Sequence, residues 1–263
     1  MRPTRHLAAA VLLLGCSLTH AGEDGIATDR PDFVESSDVV GKGRFQIETS
    51  MAWERNQLGS SKTRLRGTPT LLRIGLGETW ELRFETDGAQ RLTSTEGGLS
   101  SRERGYADLA VGAKWHASDG DEATGKPGTA WLFHVDLDSG SAAFRGQGLR
   151  PSVRFVAEWE LPGGWSAGVM PGVYMDRNDA GKRFVGGILA GVLGKSLTEN
   201  LRSFFELSAQ QIASERNGGR LVTFDAGLAY LLAPNLQVDM AFSRGLTKTS
   251  PDLSWTVGFS AKF

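Results

Sequence analysis

From Arg44 to Phe263 this chain runs in short segments whose apolar side chains recur at every second residue. That is the period of a β-strand, whose successive side chains point to opposite faces. "RFQIETSMAWER" sets Phe45, Ile47, Met51 and Trp53 against Gln46, Glu48, Ser50 and Glu54. "WELRFETD" sets Trp80, Leu82 and Phe84 against Glu81, Arg83 and Glu85. "YADLAVGAKW" sets Leu109, Val111 and Trp115 against Asp108, Gly112 and Lys114, and "PSVRFVAEWEL" sets Val153, Phe155 and Trp159 against Ser152, Arg154 and Glu158. Two stretches blur the frame: 63–76, interrupted by Pro69, and 183–197, which is Gly-rich and apolar on both sides.

The pattern predicts twelve strands, at about 44–55, 63–76, 80–87, 105–115, 129–139, 149–161, 165–176, 183–197, 201–211, 220–231, 236–245 and 252–263. Their connections alternate between tight turns ("GET", "PGG", "TEN", "APN") and longer polar loops, among them 88–104; a longer loop at 116–128 breaks the rule. Short turns at one end and long loops at the other are the layout of a transmembrane antiparallel up-and-down β-barrel. The aromatic residues agree. Trp80, Trp115, Trp131, Trp159, Trp165 and Tyr230 fall on the apolar face at the short-turn end, and Trp53 and Trp255 at the opposite end. Two such girdles are expected at the two lipid–water boundaries, whereas a soluble β-sandwich, the competing arrangement, would not sort its tryptophans by strand end. In lipid no sheet edge can stay open, so the first strand must pair with the last.

No run beyond the N-terminus is apolar enough for a spanning helix. With 29 basic and 30 acidic residues the chain offers nothing to attract nucleic acid. Residues 1–21 read as a cleaved signal peptide: Arg2 and Arg5, the apolar "LAAAVLLL", then "THA" ending at Ala21. Lipoprotein processing at Cys16 within "LLGC" is the minor alternative. Cleavage after Ala21 leaves no cysteine, hence no disulfide.

Two stretches carry a family resemblance. The ending "TVGFSAKF" is similar to the C-terminal assembly signal of bacterial outer-membrane barrels at Thr256, Gly258 and Phe263, and departs from it at Ala261. The opening "ATDRPDFVESSDVVGKGRFQIETSM" resembles the family called putative MetA-pathway of phenol degradation, through Thr28-Asp29-Arg30-Pro31-Asp32-Phe33, Glu35-Ser36, Gly43 and Gln46-Ile47-Glu48. The resemblance implies a barrel in the outer membrane of a Gram-negative bacterium, a transporter-like role, and contact with the barrel assembly machinery through the final strand.

No nucleophile, base and orienting group stand together, and no metal-ligand spacing occurs, so no catalytic residue, metal or cofactor is expected. His134, beside Asp136 on an inward face, is the weak starting point for a lipid hydrolase. The informative surface is the lumen. Glu48, Glu81, Glu85, Asp108, Asp136, Glu158, Asp176, Glu206, Asp225 and Asp239 are expected to face it, with Arg73, Arg83, Lys114, His134, Arg154 and Arg202. Such charges must be hydrated by channel water or paired with one another. Residues 22–43, carrying Asp29, Arg30, Asp32 and Glu35, are too polar for lipid and are expected to enter the mouth of the 44–263 barrel as a plug, with Arg30 on an inward acid such as Glu48 or Glu206. The expected protein is a monomeric barrel in outer-membrane lipid, a passive channel for small molecules, aromatic or hydrophobic ones included. A closed structural barrel is the alternative, with the hydrolase third.

Overall fold

A computed structural model describes residues 25–263 and shows one sheet of fifteen hydrogen-bonded segments closed on itself. They are β1 Phe45–Leu58, β2 Ser61–Gly67, β3 Thr70–Gly75, β4 Trp80–Thr86, β5 Ala89–Glu96, β6 Leu99–Tyr106, β7 Leu109–Ser118, β8 Gly128–Asp136, β9 Arg150–Leu161, β10 Trp165–Arg177, β11 Arg183–Ser196, β12 Leu201–Ile212, β13 Arg220–Ala233, β14 Leu236–Gly245 and β15 Leu253–Lys262. Three successive pairs, β2 with β3, β4 with β5 and β6 with β7, run in line, so the wall is a closed antiparallel barrel of twelve staves. Residues 1–21, read from the sequence as a signal peptide, lie outside the described residues.

The seam forms as closure demands. β1 pairs with β15 from Gln46↔Lys262 to Arg55↔Leu253. Phe45 and Phe263 then exchange both backbone hydrogen bonds, at 3.1 and 2.8 Å, and stack their rings 4.8 Å apart. The outer face is apolar, with Met51, Leu189, Phe205, Met240 and Val257 all about half exposed. A belt of this extent would aggregate in water and is what a hydrocarbon solvent requires. Trp53 and Trp255 stack at 3.9 Å on one rim, and Trp80 and Trp115 at 5.9 Å towards the other.

The stretch 88–104 departs from expectation. It is not a loop but the hairpin β5–β6, which with β2 and the far end of β1 makes a four-stranded sheet projecting beyond the barrel. The staves bend together where Pro69, lacking an N–H, interrupts the ladder and Gly88 takes a φ of 67°. A Cβ on Gly88 would lie 2.3 Å from the Thr68 carbonyl oxygen, and Thr68 N–H donates to Asp87 O at 3.0 Å, so the two bends lock together. Both faces of β5–β6 are polar because the hairpin leaves the lipid, and hydrophobic alternation therefore gave it no signature.

Candidate functional site

Residues 25–43 run within the barrel, and the site is the seam between this segment and the wall. The segment's N-terminal end is held at the short-turn rim, where Ile26 N–H donates to Pro234 O at 2.7 Å. It rises to Asp32–Phe33 and returns to Gly43, whose N–H donates to Gly75 O at 3.2 Å. The sequence supplies this shape: Pro31 and the polar run up to Asp38 offer neither an apolar stripe nor a strand period.

The charges are divided in a consistent way. Wall cations bind the segment's carboxylates. Asp29 accepts from Lys114 Nζ at 2.8 and 2.9 Å and from Arg83 at 2.5 Å, and Arg73 stands 3.5 Å away. Glu35 accepts from Arg83 at 2.5 Å and Arg154 at 2.8 Å, and Asp32 from Arg202 at 2.8 Å. Wall carboxylates instead accept backbone N–H groups of the segment: Glu48 that of Asp29, Glu206 those of Phe33 and Val34 at 2.8 and 2.7 Å, Glu158 that of Ser37, and Glu81 that of Val40. A backbone inside a barrel must find partners for its donors, and here the wall acids serve.

Arg73 and Arg83 are direct cross-strand neighbours. Two guanidinium groups so placed repel. Glu81 bridges them at 2.8 and 2.9 Å, Glu48 adds a contact to Arg73 at 3.1 Å, and Asp29 completes the neutralisation. All of these side chains are essentially buried.

Two contacts differ from expectation, and the inward placement of His134 does not. Arg30 does not reach Glu48 or Glu206; it pairs with Asp239 at 3.0 Å and approaches Thr256 Oγ1 at 3.4 Å. The N–H donors of the segment already occupy the other two carboxylates. Asp108 lies between strands at the far rim, where it accepts from Ser139, Gly140 and Gly146 N–H and from Arg150 at 2.6 Å, so it anchors the 137–149 loop. His134 Nε2 accepts from Arg83 Nε at 3.1 Å, which places its proton on Nδ1, and among the described residues no Ser or Asp hydrogen-bonds to its ring. Asp225 accepts from Ser208 and Thr223 of the wall, while Glu85 borders a cavity of about 190 Å³ beside Asp29 and Arg154. Asp136 borders another of about 290 Å³ with Asp176 and Phe33.

One part of the interior was not foreseen. Leu132, Val156, Met170, Val192 and Phe204 point inward and bury an apolar patch against Val34, with Phe33 packed on it. β11 is apolar on both faces, as the blurred 183–197 stretch hinted, and in β8, β9 and β12 single apolar residues stand among inward polar ones, so alternation alone does not reveal the patch. The space left open is divided about the segment: about 700 Å³ beside Val40 and His116 and about 410 Å³ beside Glu158 and Leu201, and, beyond its tip, about 420 Å³ bordered by Asp87 and Phe144.

The family model described as Putative MetA-pathway of phenol degradation matches residues 28–263. Among solved structures, an outer-membrane channel from Pseudomonas putida is similar, with a TM-score of 0.59 and 12% identity over 89% of this chain and 99% of that one. The β-domain of the Bordetella autotransporter BrkA is similar with a TM-score of 0.52 and 12% identity, over 84% of this chain and 99% of that one. No protein of curated function matches the sequence.

Proposed function

The chain belongs to the Putative MetA-pathway of phenol degradation family, and on that footing we propose that it is a passive outer-membrane channel for small aromatic or otherwise hydrophobic molecules, with residues 25–43 as its plug. The observation that carries this is the lumen wall beneath the segment. Displacing Phe33, Val34, Asp29 and Glu35 would uncover an apolar patch on β8–β12 beside the cations Arg83, Lys114 and Arg154. Such a wall suits a solute with an aromatic body and an anionic or polar head. Residues 1–21 deliver the chain as a signal peptide, the β15 strand with Thr256, Gly258 and Phe263 engages the assembly machinery, and the barrel acts as a monomer in lipid. The two girdles sit at the membrane boundaries: Trp80, Trp115, Trp131, Trp159, Trp165 and Tyr230 at one, Trp53 and Trp255 at the other. No reaction is assigned, and His134, committed to Arg83, serves the ion-pair network.

Planar-bilayer conductance tests the reading. The full chain is expected to give small, infrequent openings, and a chain lacking residues 25–40 a larger steady conductance and faster liposome uptake of an aromatic carboxylate. No conductance from either protein would favour a closed structural barrel; equal conductance from both would remove the plug.

A further inference from the structure

The projecting sheet carries a face that the channel reading leaves unused. Its register aligns Trp53, Arg66, Arg91 and Arg104 in one cross-strand row, and Arg55, Arg64, Thr93 and Arg102 in the next row outward. Residues directly opposite one another share a face, so six guanidinium groups lie on one side of four strands. Among the described residues, none of the six makes a side-chain ion pair or hydrogen bond. The acids nearby, Glu54 and Glu103, occupy the intervening row, flanking Leu65 and Leu92, and point to the opposite face. Arg104 first, then burial, then Arg102 and Arg66 depress the Arg91 guanidinium, a measure of unrelieved repulsion.

Like charges set opposite one another destabilise a sheet. Protection of the free edge against other strands would need charge only on β6, yet arginines extend back through β5 and β2 to β1. The face also has a defined height. Trp53 begins the inner row and stacks on Trp255, on the lipid-facing side of the barrel at its far rim. That girdle marks the end of the hydrocarbon, so the arginines stand where lipid headgroups stand. Guanidinium pairs bind phosphate by paired N–H donors, and cross-strand neighbours about 5 Å apart within a row can hold one phosphate between them.

We propose that this arginine face binds the phosphorylated headgroup of an outer-leaflet lipid, fixing one or more such lipids to the barrel beside β1, β2, β5 and β6. The phosphate supplies the counter-charge that the protein withholds, and the acyl chains lie along the apolar wall below Trp53.

The proposal rests on the outer-membrane placement, and its test separates the two. The full chain is inserted in phosphatidylcholine nanodiscs containing either bisphosphorylated or dephosphorylated lipid A, and bound lipid is counted by native mass spectrometry. The wild-type protein is expected to retain the bisphosphorylated lipid selectively. The combined variant R66Q/R91Q/R104Q is expected to lose on the order of a hundredfold in apparent affinity while keeping its heat-modifiable migration. If the triple variant does not assemble, R91Q alone is expected to lose roughly fivefold. Equal retention of the dephosphorylated lipid, or undiminished retention by the variants, overturns the proposal, as does binding of a soluble polyanion in place of lipid. A wild-type barrel absent from the outer-membrane fraction would overturn the placement instead.

Discussion

Asp29 is the residue on which the interior balances. It is the counter-ion that Arg73, Arg83 and Lys114 share, and it also lies under the segment's own backbone, since Ser36 N–H donates to it at 2.9 Å. Removing one member of a buried charge network leaves the others uncompensated, at about 3–5 kcal/mol. Asp29→Asn is therefore expected to release the segment while the barrel stays folded. Chymotrypsin cleavage after Phe33 in detergent-solubilised protein should rise sharply; cleavage at the wild-type rate would show that the network does not hold the segment. Asp108, outside the spanning strands, gives a pH-dependent counterpart. Burial pushes its carboxyl up, but Gly146 N–H, Arg150 and Gly140 N–H outweigh that and hold it below the usual carboxylate range. Its depressed value means that its contribution is complete above the ordinary carboxylate pKa and disappears as pH falls through the lower folded value. The amide-exchange protection factors of Gly140 and Gly146, taken against the intrinsic rate at each pH, should be high and constant at neutral pH and fall only in strong acid, and Asp108→Asn should abolish that dependence.

At the scale of strands, glycines stand opposite the large inward side chains. Gly112 faces His134, Gly172 faces Arg154, Gly227 faces Phe204 and Gly258 faces Asp239 across the sheet. A Cβ at 227 would come within 2.4 Å of the Phe204 ring, and one at 258 within 2.6 Å of Arg30 Nη2. Gly258, singled out in the sequence for assembly, thus also makes room for the Arg30–Asp239 pair. Gly258→Ala is expected to loosen the segment and shorten the closed periods in single-channel records without preventing insertion, whereas removal of Phe263 should impair insertion itself, read as loss of the heat-modifiable band. Strand positions were legible wherever one face met lipid and the other met charge, as in β1, β4 and β9. They were not legible in β5 and β6, polar on both faces, nor was the inward apolar patch, assembled from single residues of β8–β12 that stand among inward charges such as Arg154 and Glu206. Face could be read from parity, but which carboxylate Arg30 meets depends on height along the wall and on competition from backbone donors, and neither has a one-dimensional signature.

The whole molecule is two solvents' worth of design wrapped around one segment: lipid outside, and inside a wall with its buried cation network on β3, β4 and β7 and an apolar patch on β8–β12. The segment matches both, setting Asp29 and Glu35 to the first and Phe33 and Val34 to the second. A chain lacking residues 25–40 should therefore insert but melt at lower temperature, through the unpaired Arg73–Arg83 wall, and light scattering or circular dichroism on heating would show it. Equal melting would mean that water alone satisfies those cations. The seam adds a matter of timing. Residues 25–43 leave the ribosome before any strand, yet Arg30 reaches Asp239 and Thr256, more than two hundred positions later in the chain. Those partners sit on the two strands that complete the cylinder. The earliest-made part of the described chain is thus the last that can come to rest, and its docking is a built-in record that the cylinder has shut.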